Sequence, residues 1–326
     1  MIFLNKRLLA FLLVFILIFS FAASCDFAPT VDVGSQASSA AESRTASSAA
    51  SSAISSQAGA HVSSEESASE NESRLLVVSF IDVGQGDGIL IRTPDDKFIL
   101  VDCGPAEAEK SFIAFLKSQN VREFEYVFFT HPHADHIGNA VKVLQEFKVK
   151  NVYMPDAATT TKTFTNLLNE LDKQKDIKIT QAKAGQKITV GEVNIDILSP
   201  SKDKYGDLNE YSIVFKLTYK ENSILFTGDA YIKNEKEMIA ASYDLKADIL
   251  KVGHHGSDSS TSTEFLNAVQ PKYAVISCGL DNSFGHPHKS TLERIASAGA
   301  KIYRTDNDGT ITLYANGVEI VIKSEK

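Results

Sequence analysis

Cysteine is scarce in this chain of 326 residues, which contains only Cys25, Cys103 and Cys278. There is no CxxC pair, so a zinc site built from closely spaced thiolates is excluded. Cys103 and Cys278 lie within or just after the strand-like runs ILVDCG and AVISCG, and we expect both to be buried free thiols. The sequence also shows no Ser/His/Asp arrangement that would indicate a covalent nucleophile.

Positive charge is also in short supply. The chain has 33 Lys and Arg residues against 41 Asp and Glu residues, a formal net charge of −8 at pH 7. This balance argues against bulk, nonspecific attraction to nucleic acid. Residues 142–187 differ, because they hold nine lysines and five acidic residues. This segment indicates either a basic rim or a solvated helical face.

No unbroken apolar run reaches the length of about 20 residues that a membrane-spanning helix needs. Residues 8–21 form a run of fourteen, apolar but for Ser20, that follows two basic residues and leads through small residues to Cys25. This layout predicts a secretory signal over residues 1–25. AASC resembles the lipobox of bacterial lipoproteins, whose cysteine becomes lipid-modified, although Ala22 replaces the usual leucine. An ordinary signal peptide or an uncleaved anchor is the alternative, and each of these exports the chain.

Residues 26–74 consist mainly of Ser, Ala and Glu, with almost no large apolar side chains. Such a segment buries too little apolar surface to offset its ordering entropy, so it is predicted to be a disordered tether. Residues 75–326 are rich in apolar side chains and long enough for one substantial core or two closely joined halves. We expect this segment to be the folded domain.

The folded segment alternates strand-like and helical patterns. The strand-like runs are 74–83, 88–93, 97–104 and 126–130, followed by a hairpin of 211–219 and 222–230. Helical spacing occurs at 107–119, 137–146, 232–241, 261–269 and 289–297. Two β-rich halves with helices outside predict an α/β fold in which two sheets face each other and helices cover each outer surface.

Histidine is distributed unevenly. Seven of the eight histidines lie in three clusters, which are His131, His133 and His136, then His254 and His255, then His286 and His288. The eighth, His61, lies in the Ser/Ala-rich segment. Each cluster follows a strand-like run, so the loops that carry the clusters are expected to converge at one edge of the sheets. Imidazole is the commonest metal-binding side chain, and the sequence therefore predicts a metal centre there.

The first cluster has the spacing HxHxDH, in the motif THPHADH. In an extended segment, alternate side chains lie on the same side, so His131 and His133 point together. The motif resembles the signature of metallo-β-lactamase-fold hydrolases, which have an αββα sandwich. The resemblance implies that His131 and His133 bind one metal ion, while Asp135 and His136 bind a second.

Two further aspartates match this family. Asp229, in LFTGDA, matches the carboxylate that bridges the two metal ions. Asp102, in ILVDCGP, matches the aspartate that supports the metal-binding turn from behind. The cofactors implied are two divalent ions, zinc or manganese.

A closer resemblance is to the metallo-β-lactamase-like domain of the ComEC-type competence proteins. FIDVGQGDGILI, THPHADHIGN, ILFTGDA, LKVGHHGS and GHPH occur in the same order as in that group, over about residues 76–315. The resemblance implies phosphodiester hydrolysis of nucleic acid outside the membrane, in DNA uptake. The polytopic channel of those proteins is missing, so the chain looks like the hydrolase domain alone, exported and tethered to the membrane by a lipid.

The chain departs from the broader family at one position. A histidine usually precedes the hairpin that leads to the TGD aspartate, and here DLNEYSIVF offers only Leu208 and Asn209. The ComEC-type domains share this lack. Either the first metal has a weaker site, or His254 or His255 completes it from a neighbouring loop.

We favour His254 and His286 as the two distal ligands, with His255 as a further candidate. GHHGS could instead contact the substrate, with Ser257 holding the turn, and His288 is also assigned to support or substrate contact. Asp135, His254 and His255 are the candidate catalytic residues.

The motif DVGQGD forms a tight turn between strands. The turn either aims Gln85 and Asp87 at the site or serves only as a connection that needs positive φ. We expect Asp82 and Asp87 to be structural or to support the ligands.

Two divalent ions about 3.5–4 Å apart lower the pKa of a bridging water and hold the attacking and leaving oxygens. Asp135 is expected to orient the resulting hydroxide. Phosphodiesters, DNA among them, are the favoured substrate. The alternatives are phosphodiesters or phosphocholine on wall polymers, lactones, thioesters or β-lactams, and a binding protein with a vestigial metal site.

Overall fold

The computed structural model of the protein describes residues 75–326. The predicted signal peptide with Cys25, the segment 26–74 and His61 all lie outside the described residues. Within the described part, no helix combines the length and the apolar character that crossing a membrane requires.

The strands of the described part form two sheets. They are β1 (Leu76–Phe80), β2 (Gly88–Arg92), β3 (Phe98–Cys103), β4 (Glu123–Phe128), β5 (Lys148–Met154), β6 (Lys178–Gln181), β7 (Lys187–Val190), β8 (Val193–Ser199), β9 (Val214–Tyr219), β10 (Asn222–Phe226), β11 (Ile249–Lys251), β12 (Tyr273–Ile276), β13 (Lys301–Arg304), β14 (Ile311–Ala315) and β15 (Ile320–Ser324). The first sheet has the order β15-β14-β1-β2-β3-β4-β5-β6, and the second has the order β13-β12-β11-β10-β9-β8-β7.

Helices follow several of these strands. They are α1 (Glu109–Ser118), α2 (Ala134–Ile137), α3 (Ala140–Glu146), α4 (Lys162–Lys173), α5 (Ile232–Ala240), α6 (Thr263–Val269), α7 (Lys289–Ser297) and α8 (Thr305–Asp308). A short 3₁₀ turn spans Gly253–Gly256. The helix predicted over 137–146 is instead split into α2 and α3. A Cβ on Gly138 would lie 2.6 Å from the carbonyl oxygen of Gly104, so the chain there is packed backbone to backbone.

Buried apolar side chains form three layers, which confirm the predicted αββα sandwich. Between the sheets, the rings of Phe128 and Phe215 stack with centroids 4.9 Å apart, and Phe215 stacks on Phe226 at 4.7 Å. Outside the first sheet, α1, α3 and α4 pack on its outer face through residues such as Phe112. Outside the second sheet, α5, α6 and α7 do the same through residues such as Phe265.

Parallel pairing brings strand ends to common edges. In the first sheet β3 and β4 run parallel, and in the second sheet β10, β11 and β12 run parallel. The carboxyl ends of parallel strands meet at the same edge of a sheet, where open α/β sheets carry their sites. The loops after these strands carry the histidine clusters and Asp229. Cys103 and Cys278, at the ends of β3 and after β12, are buried free thiols, as predicted.

Candidate metal centre

The HxHxDH segment leaves the end of β4 and turns directly into α2. His133 is extended, with φ −81° and ψ 150°, and immediately precedes the helix. His131 and His136 are buried, with 1% and 0% of their surface exposed. Nδ1 of His133 lies 3.0 Å from Nε2 of His131, so the two side chains converge as the alternation of an extended segment predicts.

Asp102 lies beneath this turn and is fully buried. Its Oδ1 accepts a hydrogen bond from the backbone N–H of Thr130 at 2.8 Å. Its Oδ2 accepts from the Thr130 hydroxyl at 2.6 Å and lies 2.7 Å from Nδ1 of His136. Asp102 therefore holds both the strand end and one of the predicted ligands, the supporting role expected of it.

These hydrogen bonds fix which ring nitrogen faces the centre. A carboxylate only accepts, so Nδ1 of His136 carries a proton, and Nε2 has the lone pair when the ring is neutral. The Thr130 hydroxyl gives its one hydrogen to Asp102 and therefore accepts from Nδ1 of His131, 3.1 Å away. Likewise, Nδ1 of His255 donates to the carbonyl oxygen of Ser277 at 2.9 Å. When neutral, these three imidazoles present Nε2 lone pairs inward.

Asp229 follows β10 and lies among these nitrogens. Its Oδ2 is 3.4 Å from Nε2 of His136, 3.5 Å from Nε2 of His255 and 3.8 Å from Nε2 of both His131 and His254. Its Oδ1 is buried and has no hydrogen-bond partner in the described part of the chain. A buried carboxylate oxygen without a donor is costly, so this position favours a cation.

The surrounding groups fit a divalent metal ion. One ligand atom from each of Asp135, His136, Asp229 and His255 can be chosen so that all lie within 4.8 Å of one another. Nε2 of His136 and Nε2 of His255 are only 3.3 Å apart, which is unfavourable for two lone pairs unless a positive charge lies between them. Imidazole nitrogen with carboxylate oxygen is a donor set that zinc and manganese accept.

The electrostatics of the centre point the same way. Burial opposes charge on His255, but the carboxylates of Asp229 and Asp135 outweigh it and raise the pKa of His255 to about 10. Burial also opposes charge on His136, yet Asp229, Asp135 and Asp102 raise its pKa well above the usual value. Conversely, burial disfavours charge on Asp229, but His255 and His136 lower its pKa. The carboxylates that attract protons to these imidazoles would also attract a divalent cation. The cation would displace those protons, because an imidazole must be neutral to act as a ligand.

The GHHGS loop has an unusual backbone. His254 and His255 both have positive φ, 48° and 53°, a conformation that costs about 1 kcal/mol or more for residues other than glycine. This backbone conformation turns the two adjacent rings toward different neighbours. His255 reaches Asp135, with Nε2 3.3 Å from Oδ2, whereas His254 lies beside Asn209, with Nε2 3.4 Å from its amide nitrogen.

The remaining predicted residues of the two distal loops lie nearer the surface. The ring of His286 is 5.3 Å from that of His254 between centroids, and its Nδ1 is buried without a partner among the described residues. The ring nitrogens of His288 bond to backbone groups instead. Its Nδ1 accepts from the N–H of Asp258 at 3.1 Å, and its Nε2 lies 3.3 Å from the carbonyl oxygen of Phe284.

Ser257 contributes to the turn itself. Its carbonyl accepts from the Thr291 hydroxyl at 3.0 Å, and its own hydroxyl is 2.9 Å from that of Ser259. Among the distal histidines, Nε2 of His255 and Nε2 of His254 lie 3.5 and 3.8 Å from Oδ2 of Asp229, whereas no such contact joins His286 to Asp229 among the described residues. The ligand roles of all three stay predictions.

The DVGQGD turn contacts the centre through one of its three polar residues. Asp87 is buried, and its Oδ1 and Oδ2 lie 3.7 Å from Nδ1 of His255 and 3.9 Å from Nδ1 of His136. Gln85 accepts a hydrogen bond from the N–H of Gly279 at 3.1 Å and so joins this turn to the loop after β12. Asp82 Oδ1 accepts a hydrogen bond from the N–H of Gly84 within its own turn, at 3.2 Å.

Two further residues at the centre had no predicted role. Lys251 at the end of β11 is fully buried, and its Nζ lies 2.7 Å from Oδ2 of Asp87. The signal was available, since LKV places a lysine inside an apolar strand. Asn209 is also buried, donates to the Tyr231 hydroxyl at 2.9 Å, and has an Oδ1 without a partner in the described structure.

The lysines of residues 142–187 do not form a free basic rim. Seven of the nine pair with carboxylates; they are Lys142, Lys148, Lys150, Lys173, Lys175, Lys183 and Lys187. Most of the segment's excess positive charge is therefore neutralised at the surface.

The sequence was compared with protein-family models and with known proteins, and the matches agree with the two-sheet fold and its histidine-rich centre. A family model described as the metallo-beta-lactamase superfamily matches residues 81–280. ComE operon protein 3 of Bacillus subtilis (strain 168) is 31% identical over 251 residues, which cover 72% of this chain and 32% of that protein. Competence protein ComA of Neisseria gonorrhoeae is 30% identical over 246 residues, covering 74% of this chain and 32% of that protein. The chain thus spans about a third of the length of these relatives.

A solved structure shares the fold. YhfI from Bacillus subtilis, described as a metallo-beta-lactamase fold protein, superposes with a TM-score of 0.52 at 14% identity, covering 74% of this chain and 99% of that one. The resemblance carried by the five ordered motifs is confirmed. The chain belongs to the metallo-beta-lactamase superfamily of metal-dependent hydrolases.

Proposed function

We propose that this protein is a phosphodiesterase that acts on nucleic acid at a centre of two divalent ions, zinc or manganese. The observation that carries the proposal is the convergence of His131, His136, His255 and Asp229, with Nε2 lone pairs facing one buried carboxylate. Relatives named for competence support nucleic acid as the substrate class, because the similarity covers most of the folded part of this chain.

The residues divide into two ligand groups around Asp229. His131 and His133 would hold the first ion, and Asp135, His136 and His255 the second. When bound, such ions act as Lewis acids that stabilise negative charge on phosphate oxygens and lower the pKa of a bound water.

The residues of the chain itself orient this centre. Asp102 keeps His136 in the tautomer that leaves Nε2 free, and it does the same for His131 through the Thr130 hydroxyl. Asp135 Oδ2 lies 3.3 Å from Nε2 of His255 and 3.8 Å from Nε2 of His136, and the carboxylate is placed to orient a water at the centre. His254 and His286 line the open side, where a ring N–H would donate to a phosphate oxygen as negative charge develops.

The cellular setting is also a proposal. The signal sequence and Cys25 would place the protein outside the cell on a lipid anchor, where the segment 26–74 would let the domain reach DNA during uptake. Mass spectrometry of the protein from its native host would show a mature chain that begins at a lipid-modified Cys25. A product that starts elsewhere, or one whose location is unchanged by Cys25→Ala, would contradict the anchor.

The activity is tested with the full-length protein, manganese and a 5′-labelled single-stranded DNA. We expect cleavage that is abolished by Asp229→Asn, which weakens the shared ligand. Asp196→Asn is the matched control, because Asp196 pairs with Lys187 at the surface and should have no effect. An Asp229→Asn variant that cleaves DNA as well as the control would refute the proposed site.

A further inference from the structure

The loop between β12 and α7 exposes unusual apolar surface. Within the described residues, the large apolar side chains that are most exposed are Leu280 (71%), Phe284 (64%), Val318 (68%) and Val321 (52%). Two of these four lie on the loop that carries His286, whereas the other two lie on the C-terminal hairpin. Exposed apolar side chains grouped beside a site commonly mark a binding surface.

This loop is held in place by hydrogen bonds. The amide nitrogen of Asn282 donates to the carbonyl oxygens of Gly279 and His286, at 2.8 and 2.5 Å, and its Oδ1 accepts from the N–H of His286 at 3.0 Å. The N–H of Gly279 donates in turn to Gln85. The loop is therefore fixed with Phe284 turned to solvent, at a cost in hydrophobic free energy.

Phe284 is connected to the centre by a series of ring contacts. Its ring stacks on His286 with an interplanar angle of 20° and centroids 5.7 Å apart. His286 meets His254 edge-on at 5.3 Å, and Nε2 of His254 lies 3.8 Å from Oδ2 of Asp229. An exposed aromatic face thus lies two rings away from the residue that the two ions would share.

Charge gives little help in binding a nucleic-acid strand here. The chain carries a net charge of −8, and most lysines of residues 142–187 are paired. A strand would therefore need another source of affinity beside the centre. Stacking of bases on aromatic rings provides one that does not depend on base identity.

We propose that Phe284, assisted by Leu280, is a stacking platform for an unpaired nucleobase of the substrate strand. The inference rests on the proposed phosphodiesterase function and narrows its substrate to single-stranded nucleic acid. A base on Phe284 places its own backbone beside His286 and His254, at the entrance to the centre.

Binding to a labelled oligonucleotide tests the platform. Fluorescence anisotropy of the full-length protein with a phosphorothioate single strand should give a dissociation constant that rises about tenfold or more in Phe284→Ala. Phe284→Trp should retain the wild-type value. Val321→Ala is the matched control, because Val321 is similarly exposed but lies in β15 on the C-terminal hairpin.

An abasic scan shows whether the contact is to a base. Removing one base at a time from the oligonucleotide should weaken wild-type binding at one position, and Phe284→Ala should be insensitive at that position. The platform would be overturned if Phe284→Ala bound the intact strand as tightly as wild type. It would also be overturned if Phe284→Ala weakened the binding of every abasic strand by the same factor. A wild-type protein that binds no single strand would overturn it too.

A small substrate separates this inference from the proposed function. Phe284→Ala should hydrolyse a dinucleotide-length abasic phosphodiester at the wild-type rate and keep its metal content, because that substrate has neither a base nor an aryl ring to stack. If wild type cleaves the small diester but Phe284→Ala leaves strand binding unchanged, the platform is wrong and the function stands. If stacking is found without cleavage of either substrate, the function is wrong and the platform stands.

Discussion

Nδ1 of His136 lies 2.7 Å from Oδ2 of Asp102, and this contact determines which nitrogen of the ring faces Asp229. The same carboxylate accepts two further hydrogen bonds from Thr130, so all its neighbours are donors. If an amide replaces the Asp102 carboxylate, its N–H₂ group must face one of these donors, from Thr130 or His136.

Asp102→Asn should therefore weaken metal binding about 10- to 100-fold, the usual cost of losing a partner behind a ligand histidine. Isothermal titration of metal-free protein with manganese or zinc would measure it. Asp82→Asn is the matched control. It makes the same carboxylate-to-amide change in the DVGQGD turn, where the Asp82 side chain bonds to Gly84 rather than to a predicted ligand. Equal affinities for the two variants would contradict the role given to Asp102.

Metal removal should lower thermal stability. Chelator-treated protein should melt at a lower temperature and recover on adding manganese or zinc, since an ion at 100 times its dissociation constant stabilises by about 2.7 kcal/mol. His133→Ala should reduce the metal content, and Asp229→Ala should reduce it further because both proposed ions would use Asp229. Melting that is indifferent to chelator, in protein shown to contain no metal, would count against the centre.

Lys251 and Asp87 should be coupled in stability. Lys251→Met leaves a buried carboxylate without its cation and should cost about 3–5 kcal/mol in urea unfolding. Lys251→Met combined with Asp87→Asn should recover part of that loss. Lys187→Met breaks a surface pair with Asp196 and should cost at most about 1 kcal/mol. Similar losses for the buried and the surface pair would show that Lys251 is not structurally important.

Asn209 lies just before β9, in the segment where the resemblance to the broader family implies a histidine. Its buried Oδ1 has no partner in the described structure, and its amide lies 3.4 Å from Nε2 of His254. We expect Asn209→Ala to lower the affinity for metal and Asn209→His to raise the affinity for zinc. Competition with a chelating dye would measure both, and two unchanged affinities would mean that the amide plays no part in the centre.

Sequence predicted the parts of the molecule that depend on local pattern. The convergence of THPHADH follows from alternation in an extended segment, and the αββα sandwich follows from two β-rich halves with outer helices. Asp102 and Asp229 were identified through their motifs, and the structure brings both against the histidines.

The missing parts depend on backbone conformation and on distant packing. Positive φ at both His254 and His255 turns the second ring toward Asp229, and no periodicity rule predicts that choice over His286. The split between α2 and α3 follows from close packing of Gly138 against Gly104, a contact 34 residues apart along the chain. β5 to β8, β13 to β15, α4 and α8 were not assigned, although α4 has 12 residues. In most of these elements charged and polar residues interrupt the apolar pattern.

The central claim is that this centre hydrolyses phosphodiesters and not carbonyl substrates. The most direct test measures hydrolysis of bis-p-nitrophenyl phosphate and of nitrocefin by one manganese- or zinc-loaded preparation, with Asp229→Asn in parallel. We predict turnover of the diester that is lost in the variant, and no turnover of nitrocefin. Rapid nitrocefin hydrolysis without cleavage of the diester would contradict the account and leave the similarity to competence proteins as a likeness of fold.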